Sequence, residues 1–164
     1  MMDINTEQFR KIKEEAERFY KEISEIYCPY FQETISFNAK GLDHIKFSEW
    51  NKARPIKQQY MRLRLLKLAP QVIKKSHTLQ EFHETKRFER QKINSRWEKR
   101  TVMVRYYGFI AITDNLRTKV KIIIKEIERG KRFFWSIIPF WKAKKNEFNN
   151  QYKKILHNGD LETQ

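Results

Sequence analysis

The spacing of apolar residues changes along this chain, and that change most constrains its fold. Before about residue 78 the apolar side chains recur every three or four positions, which is typical of amphipathic helices. After that point β-branched and aromatic residues gather in runs separated by turn residues, which is typical of strands. Helices followed by consecutive strands predict an α+β domain, with N-terminal helices packed on a four- to five-stranded antiparallel sheet.

Individual elements can be placed on this pattern. The first half predicts a helix, a short strand, a short helix and a longer helix interrupted near Pro70, over residues 5–27, 34–38, 42–47 and 55–77. Residues 79–93 also fit a capped helix, but we interpret them as a strand because Phe82 and Phe88 share strand parity. Further strands are predicted at 101–113, 119–127 and 131–138, with turns at 94–95, 114–115 and 129–130.

These elements divide the chain into three parts: an amphipathic leader helix at 1–33, a single α+β domain at 34–141 and a polar C-terminal tail at 142–164. Cys28 is the one cysteine, which suits a reducing compartment. The N-terminus has no signal-peptide core, and the most apolar stretch, 133–141, is far shorter than the ~20 residues that span a bilayer. We therefore expect a cytoplasmic protein without a transmembrane segment.

Positive charge dominates the body of the chain. The formal net charge is +15, of which residues 1–33 contribute −3, residues 34–106 contribute +12 and residues 107–164 contribute +6. A field of this size attracts polyanions, and nucleic acid is the commonest polyanion in a cell. A solubilising surface, a ribosome-associated surface or an anionic-membrane surface would show the same excess.

The sequence lacks the motifs of several common cofactor-binding and metal-binding sites. The four glycines are isolated, so there is no phosphate-binding glycine loop or dinucleotide fingerprint, and no histidine or cysteine spacing suits a metal. We therefore expect no cofactor. Cleavage of RNA through its own 2′-hydroxyl needs only a base, an acid and cations around the phosphate, which histidine, lysine and arginine supply.

Three groups of residues fit that chemistry. In the first, Gly41 allows a turn from strand to helix, and His44 would lie at the first turn of that helix beside Lys40. The competing interpretation is a polar surface histidine. In the second, Arg62 and Arg64 flank the apolar stripe of the longer helix, and Arg54 upstream of them is an RNA-binding candidate, although a solvated helix face explains any one of them as well.

The third group is the last predicted strand. Strand alternation places Arg132, Phe134 and Ser136 on one face and Phe133, Trp135 and Ile137 on the other. Either Arg132 and Ser136 bind phosphate or Trp135 stacks a base, depending on which face is open. Arg87 and Arg105 are further RNA-binding candidates, and Glu84 is a candidate base, with ordinary surface ion pairs as the alternative.

The order of parts resembles the superfamily that includes barnase, colicin D and the RelE toxins, which are small metal-independent ribonucleases. Residues 35–44 resemble the strand, lysine and helix-borne histidine of its colicin D-like and phage-encoded branches, and Trp135-Ser136 resemble their late tryptophan and serine. The resemblance covers about residues 34–141. It implies that His44 is the acid or base, that Lys40 and Arg62 or Arg64 hold phosphate, and that Ser136 or Trp135 supports them.

These observations predict a metal-independent endoribonuclease, either toxin-like or RNA-processing, acting on tRNA or mRNA. The alternatives are a non-catalytic basic RNA-binding module and an interaction protein that docks on an acidic partner such as an antitoxin or immunity protein.

Overall fold

The computed structural model describes residues 3–49, 51–113, 118–139 and 161–162. Its helical elements are α1 (Thr6–Glu22), α2 (Ala39–Lys46), α3 (Ile56–Leu65), a 3₁₀ turn (Leu66–Leu68) and α4 (Ala69–Lys74). Its strands are β1 (Glu25–Cys28), β2 (Glu33–Ser36), β3 (Phe47–Glu49), β4 (Lys52–Ala53), β5 (Glu81–Ile93), β6 (Arg96–Thr113), β7 (Thr118–Ile127) and β8 (Phe133–Pro139).

The α+β class is confirmed, and the helices pack against one sheet. That sheet has six strands rather than four or five, in the order β1-β2-β8-β7-β6-β5, and β3 and β4 form a separate small pair. All neighbours are antiparallel except β2 and β8, which are parallel and share the single register pair Ser36 and Phe133. The sheet is therefore mixed at the point where its N-terminal hairpin joins the later strands.

Capping and turn residues explain where most of the helices and strands begin or end. The Asn5 side chain accepts a hydrogen bond from the Glu7 backbone N–H at 3.0 Å and so caps α1. The predicted turns at 94–95 and 129–130 are present, and Asn94 and Ser95 both adopt positive φ. The prediction for 114–115 lies outside the described residues, as does the tail prediction except at 161–162.

The predicted first helix was too long. α1 ends at Glu22, and Glu25–Cys28 forms β1, which pairs with β2. Ile23 and Ile26 continue the helical spacing, but both also pack against the apolar core from an extended backbone. Apolar spacing alone therefore did not separate the end of the helix from the following strand.

Alternation along β7 separates two apolar clusters, one on each side of the sheet. Ile122 and Ile124 belong to the main core under the helices, which defines the helix face. Ile123 belongs to a second cluster with Val102, Val104, Tyr106 and Leu161, which defines the far face. Leu161 is fully buried, so residues 161–162 of the tail lie on the far face.

Candidate functional site

Helix α2 lies directly against the backbone of β8. A Cβ atom added to Gly41 would overlap the carbonyl oxygen of Phe134 and lie 2.7 Å from the Tyr20 hydroxyl oxygen. Only glycine allows this approach, because any side chain would push the helix away. Gly41 lies inside α2 and its φ is not positive, so its predicted role as a strand-to-helix turn was wrong.

His44 lies in the last turn of α2 and is 5% exposed. The predicted position at the first turn, near the positive end of the helix, was wrong because α2 already begins at Ala39. The competing interpretation of a surface histidine is also wrong. The buried ring contacts Trp135 of β8 and Arg54 of the segment before α3.

Arg54 holds both ends of His44. Its Nη2 lies 2.9 Å from Nε2 of the imidazole, and its Nε donates to the His44 carbonyl oxygen at 2.9 Å. A guanidinium can only donate, so Nε2 is the acceptor and the imidazole is neutral with its proton on Nδ1. Arg54 is 5% exposed, and burial lowers its pKa. Among the described residues no carboxylate contacts its guanidinium.

Trp135 supports the other side of the imidazole. The two rings are stacked, with their centroids 4.0 Å apart and their planes 18° apart. The register between β7 and β8 shifts here, since Ile123 faces Ser136 and Ile124 faces Phe134, and Trp135 is the extra residue of a bulge. The predicted simple alternation of β8 was therefore wrong, because Phe134 and Ile137 both enter the helix-face core.

Arg62 binds the residue after Trp135. Its Nη1 donates to the Ser136 Oγ at 2.6 Å, and both side chains are buried. Burial, and then the positive charge of Arg54, lower the pKa of Arg62 to about 9. Two buried guanidinium groups are thus held close enough for one to disfavour the charge of the other, an arrangement that an anion would relieve.

The remaining residues predicted to be catalytic lie outside this cluster. Lys40 is exposed on α2, one turn before His44, with its Nζ 5.9 Å from the Phe133 ring centroid. Arg64 is exposed on α3, and its guanidinium lies 5.6 Å from the Tyr60 ring centroid. Of the two arginines considered in this helix, the structure brings Arg62 to the histidine cluster.

Three predicted RNA-binding arginines are engaged with carboxylates. Arg87 pairs with Glu162. Arg105 contacts Glu84 at 2.6 Å and Glu126 at 3.2 Å, which is the ion pair considered for Glu84 as the alternative to a catalytic base. Arg132 contacts Glu126 at 2.8 Å and Glu33 at 2.6 Å. Glu126 joins the last two arginines in one ion-pair group.

Sequence reasoning missed Lys125. Its Nζ lies 4.0 Å from the Trp135 ring centroid and 3.0 Å from Glu89 Oε1, and burial lowers its pKa. The signal was available, because Lys125 is two residues from Ile123 in an apolar strand and therefore shares the far face. Lys121 shares that face as well and forms a buried ion pair with Glu81 at 3.0 Å.

The far-face side of Trp135 is also in contact with the tail. Its indole Nε1 donates to the Glu162 carbonyl oxygen at 3.1 Å. The described residues contain no group of three or more His, Cys, Asp or Glu side chains arranged to hold a metal ion. Within the same part of the chain, no helix has the length and apolar character needed to cross a membrane.

The fold and this cluster define an α+β domain with a buried cationic site built around a neutral histidine. The sequence model of the family called Large polyvalent protein-associated domain 3 (LPD3) matches residues 7–134, and the chain belongs to this family. Comparisons with curated proteins and with solved structures gave no match.

Proposed function

We propose that this protein is a metal-independent endoribonuclease that cleaves RNA through attack by the 2′-hydroxyl on the adjacent phosphate. One observation carries the proposal: a neutral imidazole whose Nε2 is an acceptor lies 2.9 Å from a buried guanidinium. A proton acceptor beside a phosphate-binding cation is the minimum that this reaction requires.

The arginines supply the electrostatic part. Two of the five N–H donors of the Arg54 guanidinium bond to His44, which leaves three for phosphate oxygens. Arg62 is oriented by Ser136 and carries a charge that burial and Arg54 disfavour, so pairing with a phosphate is favourable for both guanidinium groups. Both would stabilise the extra negative charge of the pentavalent phosphorane.

His44 performs the proton transfer. When phosphate engages Arg54, the imidazole Nε2 exchanges the guanidinium donor for the 2′-hydroxyl and accepts its proton. The 2′-oxygen then bonds to phosphorus, the bond to the 5′-oxygen breaks, and that oxygen takes a proton from solvent water, while His44 returns its proton to the solvent. The products are a 2′,3′-cyclic phosphate and a 5′-hydroxyl. The Trp135 stack orients the imidazole, and Lys40 attracts the flanking phosphates.

The test is incubation of the purified protein with total tRNA in EDTA, followed by analysis of the new 3′ ends. We expect cleavage that leaves 2′,3′-cyclic phosphate. His44→Ala and the larger His44→Gln should each reduce the rate by about 10²- to 10⁴-fold. His77→Ala is the matched control, because His77 is exposed and outside the cluster, and it should cleave like the wild type. Folding of each variant is checked by thermal unfolding.

The absence of cleavage by the wild type, or equal cleavage by a folded His44 variant, would refute the ribonuclease proposal.

The second candidate is a non-catalytic RNA-binding module, which the low exposure of His44 favours. It predicts salt-sensitive RNA binding without new RNA ends. Retention of an acidic protein partner without RNA binding would instead indicate an interaction protein that docks on an acidic partner such as an antitoxin or immunity protein. A cytoplasmic location remains a prediction.

A further inference from the structure

The hairpin formed by β5 and β6 extends beyond the rest of the sheet. Pairing between β6 and β7 ends at Val104 and Ile127, whereas β5 and β6 stay in continuous register to Ile93 and Arg96. We call residues 86–101 the ribbon. It contains seven basic and two acidic side chains, a net charge of +5. The ribbon is therefore a two-stranded, strongly positive projection from the sheet that carries the His44 cluster.

Strand alternation distributes the charges of the ribbon unequally between its faces. One face, which we call the ring face, presents four cations and two aromatic rings and no carboxylate: Lys86, Phe88, Arg90, Lys92, Trp97 and Lys99. The opposite face mixes both signs: Arg87, Glu89, Arg96, Glu98 and Arg100. The excess of positive charge is thus concentrated on the face that also carries the rings.

The ring face is fully available to a partner. Phe88 is 77% exposed and Trp97 is 61% exposed, and the Arg90 guanidinium lies 5.5 Å from the Trp97 ring centroid. Arg90 is directly opposite Lys99, a pairing of like charges that weakens a hairpin. In the described part of the chain none of the four cations of this face forms an ion pair.

Protection of the sheet edge does not account for this composition. Lysine on an edge strand keeps it from pairing with another chain, and charge alone would do this. Two large exposed rings would not, because exposed apolar surface promotes association. Cations together with exposed rings on a flat strand surface are instead the combination that binds unpaired nucleotides, since the cations hold phosphates and the rings stack bases.

We propose that the ring face of the ribbon binds single-stranded RNA. This inference rests on the proposed function, which identifies the nucleic acid as RNA. It adds that the RNA is unpaired and that the ring face is the surface that binds it. A duplex is disfavoured as the partner because its bases are already stacked on each other and cannot stack on Phe88 or Trp97.

Binding is measured by fluorescence anisotropy with a labelled single-stranded RNA of 12 nucleotides, using the full-length protein. Arg90→Gln/Lys99→Gln removes two charges from the ring face. Arg96→Gln/Arg100→Gln removes two charges from the opposite face of the same ribbon and is the matched control. We expect the first variant to bind at least ten-fold more weakly and its salt dependence to fall by about 1.4 log units per decade of salt, with the control nearly unchanged.

The rings are tested separately by Phe88→Ala/Trp97→Ala, which keeps every charge. We expect at least ten-fold weaker binding of single-stranded RNA with an unchanged salt dependence, since the rings hold bases by stacking and carry no charge. Equal weakening by the two charge variants would overturn the proposal, and so would equal affinity of the wild type for a duplex of the same length. Stronger binding to vesicles containing anionic lipid than to RNA would overturn it as well.

Direct binding measurements separate this inference from the ribonuclease proposal, because they do not depend on cleavage. If no variant and no wild-type protein cleaves any RNA, the ribonuclease proposal fails, and the binding data still decide the role of the ring face.

Discussion

Arg62 is expected to favour the binding of RNA phosphate while lowering the stability of the free protein. Its guanidinium is buried and donates to the Ser136 hydroxyl, and burial followed by the charge of Arg54 lowers its pKa to about 9. The folded protein therefore disfavours the charged form of this group, which costs free energy. Such a cost is typical of a site prepared for a ligand of opposite charge.

We therefore expect Arg62→Met/Ser136→Ala to be more stable than the wild type, by about 1–4 kcal/mol, because it removes a buried charge whose pKa the folded state lowers. The same variant should lose RNA cleavage and bind RNA more weakly. Urea denaturation at pH 7 measures the first effect, and the tRNA assay measures the second. A less stable variant would show that the arginine is a structural element of the core.

The difference in stability between Arg62→Met/Ser136→Ala and the wild type should change with pH in a definite direction. The folded state lowers the pKa of Arg62 to about 9, so the cost of the charge is fully present below that pH. The cost shrinks as the pH rises above 9, because the folded protein then releases the proton more readily than the unfolded chain does. The advantage of the double variant over the wild type should accordingly be larger at pH 7 than at pH 10 in urea denaturation. An advantage that grows with pH would contradict this assignment.

At the scale of elements, the contact between α2 and β8 decides whether the site exists. β2 covers the edge of β8 at one residue pair only, and α2 covers the part that carries Trp135 and Ser136. The approach at Gly41 and the bulge at Trp135 together place the imidazole against the indole. Both the close approach at Gly41 and the bulge at Trp135 are needed to place the His44 imidazole against the indole.

Gly41→Ala tests this contact. The added methyl would overlap the Phe134 carbonyl oxygen, which cannot move without breaking the β7–β8 register, so we expect a loss of about 1–3 kcal/mol in the free energy of unfolding. Asp43→Ala, an exposed position of the same helix, is the control and should change stability by no more than about 0.5 kcal/mol. Chemical denaturation measures both. Wild-type stability of Gly41→Ala would mean that α2 lies farther from β8 than described.

For the whole molecule, the distribution of charge matters more than its total. The acidic side chains that the described structure shows in ion pairs neutralise arginines such as Arg87, Arg105 and Arg132. The ring face of the ribbon contains no carboxylate of its own, and Arg54 contacts none among the described residues. Arg54 and the ring face of the ribbon therefore carry positive charge that no described carboxylate neutralises.

A polyanion that carries phosphates and bases should stabilise this protein. We expect a 2′-O-methyl RNA of 12 nucleotides, which lacks the attacking hydroxyl, to raise the unfolding temperature by roughly 5–10 °C at low salt, when present at about 100 times its dissociation constant. The shift should disappear at high salt because the charges are then screened. Polyglutamate of equal charge is the control, and an equal shift with it would show that charge alone is recognised. Thermal denaturation followed by circular dichroism measures both.

Much of the fold could be predicted because it depends on local patterns. The strands at 79–93, 101–113 and 119–127, the turns at 94–95 and 129–130 and the restart of the helix near Pro70 follow from residue type and spacing, and the structure contains all of them. The end of α1 could not be predicted, because Ile23 and Ile26 fit both a helix and a strand until β1 pairs with β2. Lys40, His44 and Arg62 were identified as candidates from their types and positions.

What the sequence by itself determined is therefore the α+β class, the succession of helices before residue 78 and long strands after it, and the concentration of positive charge after residue 33, since these depend on neighbouring residues. Only the tertiary structure decided that His44, Arg54, Arg62 and Ser136 meet in one buried cluster, that Trp135 is bulged onto the imidazole, and that Lys125 joins it from β7. These contacts join residues far apart in the chain, and their geometry depends on strand register and on the fit of α2 against β8, which no local pattern encodes.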